Sequence, residues 1–403
     1  MKKLWNKDYI LHLQGSAVST IGDLMYSVAI GYWVYEQTGS SSLMGIMSAI
    51  SMFVSMFLSP FTGSIIDKCN RKWILVGMDL LQSAIMITVG VFAYLNRLSV
   101  PGVLLAAFLA ALGSAFYSPA SSTLMLDIIP RDDMVRGQSV FSGVQSFINL
   151  VGTAFSGVMV AFLGVPLIVV INGLSNLYSA TSELFINVPK TINQGDAVTV
   201  KQIMKDLGSA VKVIVSEPCL KIFAPCALLL NLLAAGAFAL ILPFCDEKGF
   251  TVEMYGYLMS VWTAASLISV IILGIVKFNS KTRFWIMAIS FTLQSVFMVA
   301  AYMSNNFILT CIFSFIGAFV NTAGNTIFSS AMMLALPEEN RGTILGFINS
   351  SCIGGSALSA IIYGFLGELF PLSIVFAVGN IISLIPMIYL CFNKRTKEFI
   401  LTH

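Results

Sequence analysis

Charge is the first thing this sequence lacks. Charged residues make up 10% of its 403 residues, against roughly 25% in an average soluble domain. Hydrophobic residues supply 57% and the mean hydropathy is +0.88. A chain so poor in charge cannot cover a globular surface with groups that tolerate water, so its excess apolar surface belongs in lipid. Histidine is nearly absent: only His12 and His403 occur. Neither an HExxH helix nor any clustered imidazole site can be built from them, which removes the usual metalloenzyme frameworks. No GxxxxGK[ST] phosphate loop is present either, so an ATP-driven pump is excluded. The seven cysteines form no CxxC pair and mostly sit inside apolar runs, where they read as small packing residues. A net charge of +3 is too small to suggest nucleic acid as a partner.

Long apolar runs are what the chain has instead. A spanning helix needs about 20 mostly apolar residues. Twelve runs of that kind are predicted, at 9–36, 42–66, 73–95, 101–126, 137–163, 166–187, 219–245, 252–276, 283–303, 306–335, 343–369 and 371–392. The fifth and sixth are separated only by Gly164 to Pro166. They could pass for one helix, although the combined run is about twice what a bilayer needs. The first run is too long for a signal-peptide core and lacks a small-residue cleavage site, so it reads as a retained span.

The basic residues orient the spans. With the N-terminus placed in the cytoplasm, 20 lysines and arginines fall inside and only Arg97 and Lys248 fall outside. That asymmetry follows the positive-inside rule, and one miscounted span would scramble it. The expectation is a multi-pass protein of the bacterial plasma membrane with both termini cytoplasmic. Val188 to Pro218 is the longest polar interruption. It divides the chain into a six-helix bundle at 1–187, a linker at 188–217 and a second six-helix bundle at 218–403. Within the linker, Val200, Ile203, Met204, Leu207, Val211 and Ile214 recur at helical spacing while Lys201, Lys205 and Lys212 lie off that stripe, as in an amphipathic helix at a membrane surface.

The halves share a plan. Gly143, Gly152, Ser156 and Gly164 recur as Gly346, Gly355, Ser359 and Gly367 at a constant offset of 203. Just upstream stand Pro130 with Arg136-Gly137 and Pro337 with Arg341-Gly342. Such duplication suits carriers whose two bundles rock about a central site. The small residues let helix backbones approach where lipid gives no hydrophobic drive to association. Packing within a bundle is one role for them, and sealing an outward gate between halves is another.

Between the second and third spans runs Gly63-Ser64-Ile65-Ile66-Asp67-Lys68-Cys69-Asn70-Arg71-Lys72. This resembles the signature of the major facilitator superfamily: a glycine, an aspartate with a basic neighbour, then a basic pair. Asn70 stands where the family has glycine, a tolerable exchange if that position needs a left-handed turn. The resemblance implies that Asp67 caps a neighbouring helix and that the basic residues bind carboxylates, locking the cytoplasmic side while a carrier faces outward. As a plainer alternative, Lys68, Arg71 and Lys72 are topological anchors. The loop from Gly274 to Arg283 is at most a degenerate copy, without the aspartate. Gly22-Asp23, Thr38-Gly39-Ser40, Asp79 and the run from Gly113 through Phe116 to Pro119-Ala120 are similar to the macrolide-efflux and enterobactin-exporter branch of that superfamily. The implied fold is an all-α membrane protein of twelve helices in two bundles. The implied activity is export of a hydrophobic small molecule driven by proton entry, with no cofactor beyond the proton gradient. One departure stands out: Ala110 occupies the position where family members often carry an arginine, so coupling would depend on another acid.

Asp23 is the first candidate for that acid. At the middle of a span, ionised aspartate costs at least ~2.5–3.5 kcal/mol on insertion scales. A carboxyl kept protonated by desolvation is suited to carry a proton, although a hydrogen-bonded acid tying helices together is the competing reading. Asp79, two turns into the third span, reads as a hydrated gating or structural contact. Glu36 and Glu183 lie near helix ends and read as shallow and solvated. For a substrate cavity the sequence offers Tyr26, Phe116, Gln145, Asn149, Asn172 and Asn176 in the first half. The second half offers Asn231, Trp262, Asn321 and Asn325, with Trp33, Phe238 and Gln294 as further contributors. Three of the amide pairs are i,i+4 neighbours and so share a helix face. Expected partners are a small hydrophobic substrate and membrane lipid, without nucleic acid, for a monomeric chain. The rival functions are a lipid or lysolipid flippase, a nutrient importer and a non-transporting receptor. Few fixed cations among the spans favour neutral or cationic cargo over polyanions.

Overall fold

The computed structural model describes residues 4–130, 133–187, 211–276, 279–334 and 341–393, together with 208 and 397. Most of the predicted amphipathic helix and linker at 188–217, and the proline of the second repeat, Pro337, lie outside the described residues. Every regular element among the described residues is helical. The first half holds α1 (Lys7–Thr38), α2 (Ser41–Lys68), α3 (Arg71–Tyr94) and α4 (Val100–Ile128). Met134–Leu184 then runs as α5 and α6, divided at Gly164, whose φ of 73° and ψ of 160° break the helix. Only glycine occupies that region freely, and Pro166 follows as the sixth helix begins.

The second half opens with three short segments, α7 (Leu220–Ala234), α8 (Gly236–Ala239) and α9 (Ile241–Glu247), where one continuous span at 219–245 is predicted. It continues with α10 (Val252–Ile275), α11 (Ser280–Met303), α12 (Phe307–Leu334) and α13 (Arg341–Leu369). The final predicted span is broken at Ser383 into α14 (Leu372–Ile382) and α15 (Leu384–Phe392). Counting α7 to α9 and α14 with α15 as single crossings is consistent with twelve spans.

Among the described residues ten helices are long and apolar enough to cross a membrane, and α1 and the first part of α5 are not among them. These two carry His12, Ser16, Ser19 and Asp23 on one side and Gln138, Gln145 and Asn149 on the other. Their hydropathy is low because polar side chains replace lipid-facing ones, as suits helices packed within a bundle.

The chain forms two compact units. One comprises residues 1–39 and 50–198, the other residues 40–49 and 199–403. Caps fix the helix ends. Asn6, Asn70, Ser99, Thr251 and Asn279 each accept a hydrogen bond from a backbone N–H of the first turn that follows. Asn70 has φ −71° and ψ 112° and bonds Lys72 N–H. Asparagine therefore serves here as an N-cap in extended conformation, and no left-handed turn is involved.

In the first unit, Gly22 lets α1 touch α6: a Cβ there would lie 2.2 Å from Ser175 Oγ and 2.6 Å from Asn172 Oδ1. Gly15 meets Ser179 and Ser182 one stage further along the same contact. Gly173 of α6 faces Ile87 of α3. In the second unit, Gly236 lies against the backbone of Ser359 and Gly317 against Met298. The first residues of α2 belong to this unit as well, where Ser41 Oγ donates to the Gly364 carbonyl at 2.8 Å.

Candidate functional site

The second unit encloses a cavity of about 300 Å³. Four sequence-predicted residues, Asn231, Trp262, Asn321 and Asn325, lie on its wall, as do Phe238 and Gln294. The broken α7–α8 segment brings Asn231 and Phe238, α10 brings Trp262, α11 brings Gln294, and α12 brings the asparagine pair. Asn325 donates to Asn321 Oδ1, as i,i+4 spacing allows. Asn231 is held from two sides, donating to Ala227 O at 2.9 Å and accepting from Ser356 Oγ at 3.1 Å. The ring of Trp262 leans on Phe238 with centroids 5.6 Å apart. Its indole N–H is buried and has no hydrogen-bond partner among the described residues, so it is an available donor on the wall. Among the described residues no carboxylate, lysine, arginine or histidine lines the cavity, and Tyr302 is the one titratable side chain on its wall.

Asn380 and Tyr302 complete this wall and were not singled out from sequence. Gln294 Nε2 donates to Asn380 Oδ1 at 3.3 Å, which links α11 to α14. A lone asparagine in an apolar span was the available signal for Asn380, since such a residue needs partners within the bundle.

The first unit places its candidates differently. Asp23 is an exposed residue at the middle of α1, with Asn172 and Asn176 of α6 beside it. Those two asparagines are buried within the α1–α6 contact, where Asn176 donates to Asn172 Oδ1 at 3.1 Å. They pack into the α1–α6 contact rather than forming an open amide surface. Gln145 ties α5 to α1 by donating to Ser16 Oγ at 2.9 Å. Asn149 is exposed and turns back to the Gln145 carbonyl at 2.8 Å. Tyr26 keeps a buried hydroxyl without a partner, and Phe116 and Trp33 are partly exposed.

Two acids lie deeper than their positions along the helices suggest. Glu183 is 0% exposed and Asp79 2%, so neither is solvated as the sequence reading had it. Glu183 accepts from Tyr117 OH at 3.2 Å and lies 3.5 Å from His12 Nδ1. His12 is itself fully buried, with Nε2 2.8 Å from Ser121 Oγ and its ring stacked on Phe141. Distance from a helix end measures depth along the helix but not which neighbours close over the side chain. Glu36, by contrast, is exposed as expected, accepting from Tyr32 OH.

Of the loop motif, Gly63, Asp67 and Lys68 belong to α2, and their side chains lie outside the described part of the structure. Arg71 is paired with Asp127 of α4, Nη1 to Oδ2 at 2.6 Å. Lys72 Nζ donates to the Leu184 carbonyl at the end of α6, at 2.6 Å. Both basic residues therefore fasten the start of α3 to neighbouring helix ends.

The family model described as Major Facilitator Superfamily matches residues 14–352 and 225–399. The chain belongs to that superfamily. Macrolide efflux protein A of Streptococcus pyogenes is 23% identical over 186 residues, 46% of each chain. The multidrug efflux pump Tap of Mycobacterium bovis is 26% identical over 160 residues, 38% of each. The aligned part of the chain spans about half the length of these relatives or less. Among solved structures, the nucleoside transporter NupG superposes with a TM-score of 0.73 at 13% identity, covering 94% of this chain and 97% of its own. A bacterial homolog of the human lysosomal transporter Spinster gives 0.71 at 12% identity, with 98% and 95% covered. This facilitator-type chain is thus a multi-pass membrane protein of the superfamily's fold, and efflux proteins are among those it resembles in sequence.

Proposed function

We propose that this protein exports a hydrophobic, uncharged or cationic small molecule from a bacterial cell by alternating access, driven by proton entry through Asp23. The observation that carries the cargo class is the cavity of the second unit. Its wall is built of amides, aromatic rings and methionines without an ionisable acid or base. A few oriented polar groups in an apolar wall suit a ligand that is itself mostly apolar. A polyanion would find no arginine clamp there. Relatives named for macrolide and multidrug efflux support the direction of transport. For coupling, Asp23 is a carboxyl at the middle of a span, exposed and flanked by two buried amides. With both termini cytoplasmic, protons would enter through it as cargo leaves.

Energised inverted membrane vesicles containing the protein, supplied with ethidium or labelled erythromycin, test this reading. Uphill accumulation that vanishes when the pH gradient is collapsed, and that Asp23→Asn abolishes, is the expected result. Flux that ignores either change overturns the assignment.

A lipid substrate is the second reading. An apolar groove of about 500 Å³, lined by Leu233, Ile362, Leu366, Phe370 and Val378 among others, would favour it. Scrambling of a fluorescent phospholipid in proteoliposomes, faster than in protein-free vesicles, would move the balance that way.

A further inference from the structure

Four ionisable side chains from four helices meet at one buried point of the first unit, where sequence spacing gave no reason to expect them. His12 comes from α1, Asp79 from α3, Tyr117 from α4 and Glu183 from α6. His12 and Glu183 are 0% exposed and Asp79 2%. Glu183 and Asp79 lie close enough for their charges to interact, as do Asp79 and Asp23. The remaining groups facing the cluster are neutral: Ser121 on His12, Ser179 beside Asp79 and Tyr117, and Phe141 stacked on the imidazole. Among the described residues no lysine or arginine pairs with either acid. Lys72 reaches the backbone carbonyl of Leu184 and lies over the Trp73 ring.

Glu183 Oε2, Asp79 Oδ2 and His12 Nδ1 are all buried, and none has a hydrogen-bond partner among the described residues. An acceptor left unpaired in a dry interior costs about 1–3 kcal/mol, and more when charged. Two carboxylates sharing such a pocket cannot both ionise cheaply. A proton on either one removes a charge and turns an orphan acceptor into a donor. One proton shared by the two carboxylates relieves both the charge and the unpaired oxygen.

We infer that His12, Asp79, Tyr117 and Glu183 form a second proton-holding site, an inner station on the coupling route. The inference rests on the proton-driven reading above. In each cycle one proton passes from the Asp23 carboxyl to a carboxylate oxygen of the Asp79–Glu183 pair, leaving Asp23 ionised. The proton then moves from Glu183 to His12 Nδ1 and on to water at the basic end of the bundle, which returns the pair to its starting charge. Tyr117 is a positioning residue that holds Oε1 of Glu183 toward the imidazole. The geometry supplies a direction, because Asp23 and His12 are eleven residues apart on α1, roughly 16 Å along the helix axis. Asp79 and Glu183 lie between them in the chain of interacting charges.

Infrared difference spectroscopy of the purified full-length protein reads the proton directly, through the C=O stretch of a protonated carboxyl group at neutral pH. Wild type minus the Asp79→Asn/Glu183→Gln double variant should show that band, and Asp23→Asn minus the same changes in its own background should show it too. Each substitution mimics the protonated shape, so folding is retained; single variants with the same readout serve if the double variant does not purify. Absence of the band from both differences overturns the site. A second arm measures ethidium movement in proteoliposomes: Glu183→Gln should lose accumulation against a gradient while keeping equilibrium exchange, and preserved accumulation in the double variant also overturns the site. If the infrared band is present but wild-type protein moves no ethidium on a pH gradient, the transport reading fails while the protonated pair stands.

Discussion

Gly152 and Gly355 meet the same atom of the same residue type. A Cβ on Gly152 would come within 2.8 Å of Leu24 Cδ1, and one on Gly355 within 2.9 Å of Leu228 Cδ1. Ser156 and Ser359, one turn later, are both fully buried. The 203-residue repeat is therefore a repeat of packing, in which the fifth helix of each half lies on the first helix of that half. Within each unit these glycines and serines join helices of one bundle, which is the packing role that the sequence allowed for them.

Gly236 should tolerate substitution less well than Gly152. A Cβ at Gly236 would meet the Ser359 carbonyl oxygen at 2.5 Å and its carbon at 2.7 Å, backbone that cannot swing aside. At Gly152 the obstacle is the mobile end of a leucine. Gly236→Ala should cost about 1–3 kcal/mol, as overpacking generally does, and Gly152→Ala less than half of that. Thermal unfolding in detergent ranks the pair, with Gly77→Ala, which meets open space, as the neutral reference.

Gly164→Ala should be destabilising by about 1–3 kcal/mol, because the required φ of 73° with ψ of 160° is strained for any residue with a Cβ. Nothing but Pro166 Cδ, at 3.9 Å, stands near the added methyl. A drop in Tm that matches Gly39→Ala, another positive-φ glycine with open space around it, would attribute the loss to backbone conformation. An unchanged Tm would mean that the turn can relax.

Trp262→Phe and Asn321→Leu should weaken cargo binding while leaving the fold intact. The first removes a buried N–H donor that has no protein partner, and the second removes a polar group from the cavity wall. A loss of about 0.5–1.5 kcal/mol per hydrogen bond corresponds to several-fold in Kd. Fluorescence titration with ethidium or erythromycin checks it, with unchanged elution from a sizing column as the control.

Arg71→Ala should release the start of α3. Its guanidinium lies 2.6 Å from Asp127 Oδ2, and both side chains are about 15% exposed, an intermediate environment in which losing one partner costs on the order of 1–3 kcal/mol. Arg71→Ala with Asp127→Asn should recover part of the stability, because no unpaired carboxylate remains. A double variant no more stable than Arg71→Ala alone would show that the pair does not couple these helices.

The spans were legible because turn residues punctuate apolar runs of bilayer length. Even the join at Gly164 to Pro166 was visible as two elements, since a single helix would have been twice too long. The break between α7 and α8 is marked by no proline or charge, whereas the one at Ser383 follows from Pro386, which has no N–H for the Ile382 carbonyl four residues back. Part of the candidate wall could be read from asparagines and a tryptophan in apolar surroundings. The buried acids could not, because His12 and Glu183 are 171 residues apart. Nothing local to either reveals that a tyrosine from α4 and an imidazole from α1 will close over the carboxylate.

The interruption between α7 and α8 leaves backbone groups that an unbroken helix would have used. Ser359 Oγ receives the Gly236 N–H at 2.8 Å, and the Tyr363 hydroxyl donates to the Leu233 carbonyl. Both supports stand on α13, one turn apart. The seventh crossing can therefore flex at this joint without exposing bare amides to hydrocarbon, but only while α13 travels with it. A bend there would turn Asn231 and Phe238, which flank the joint, in different directions, so the shape of the cavity mouth is tied to the posture of a helix that does not itself line it.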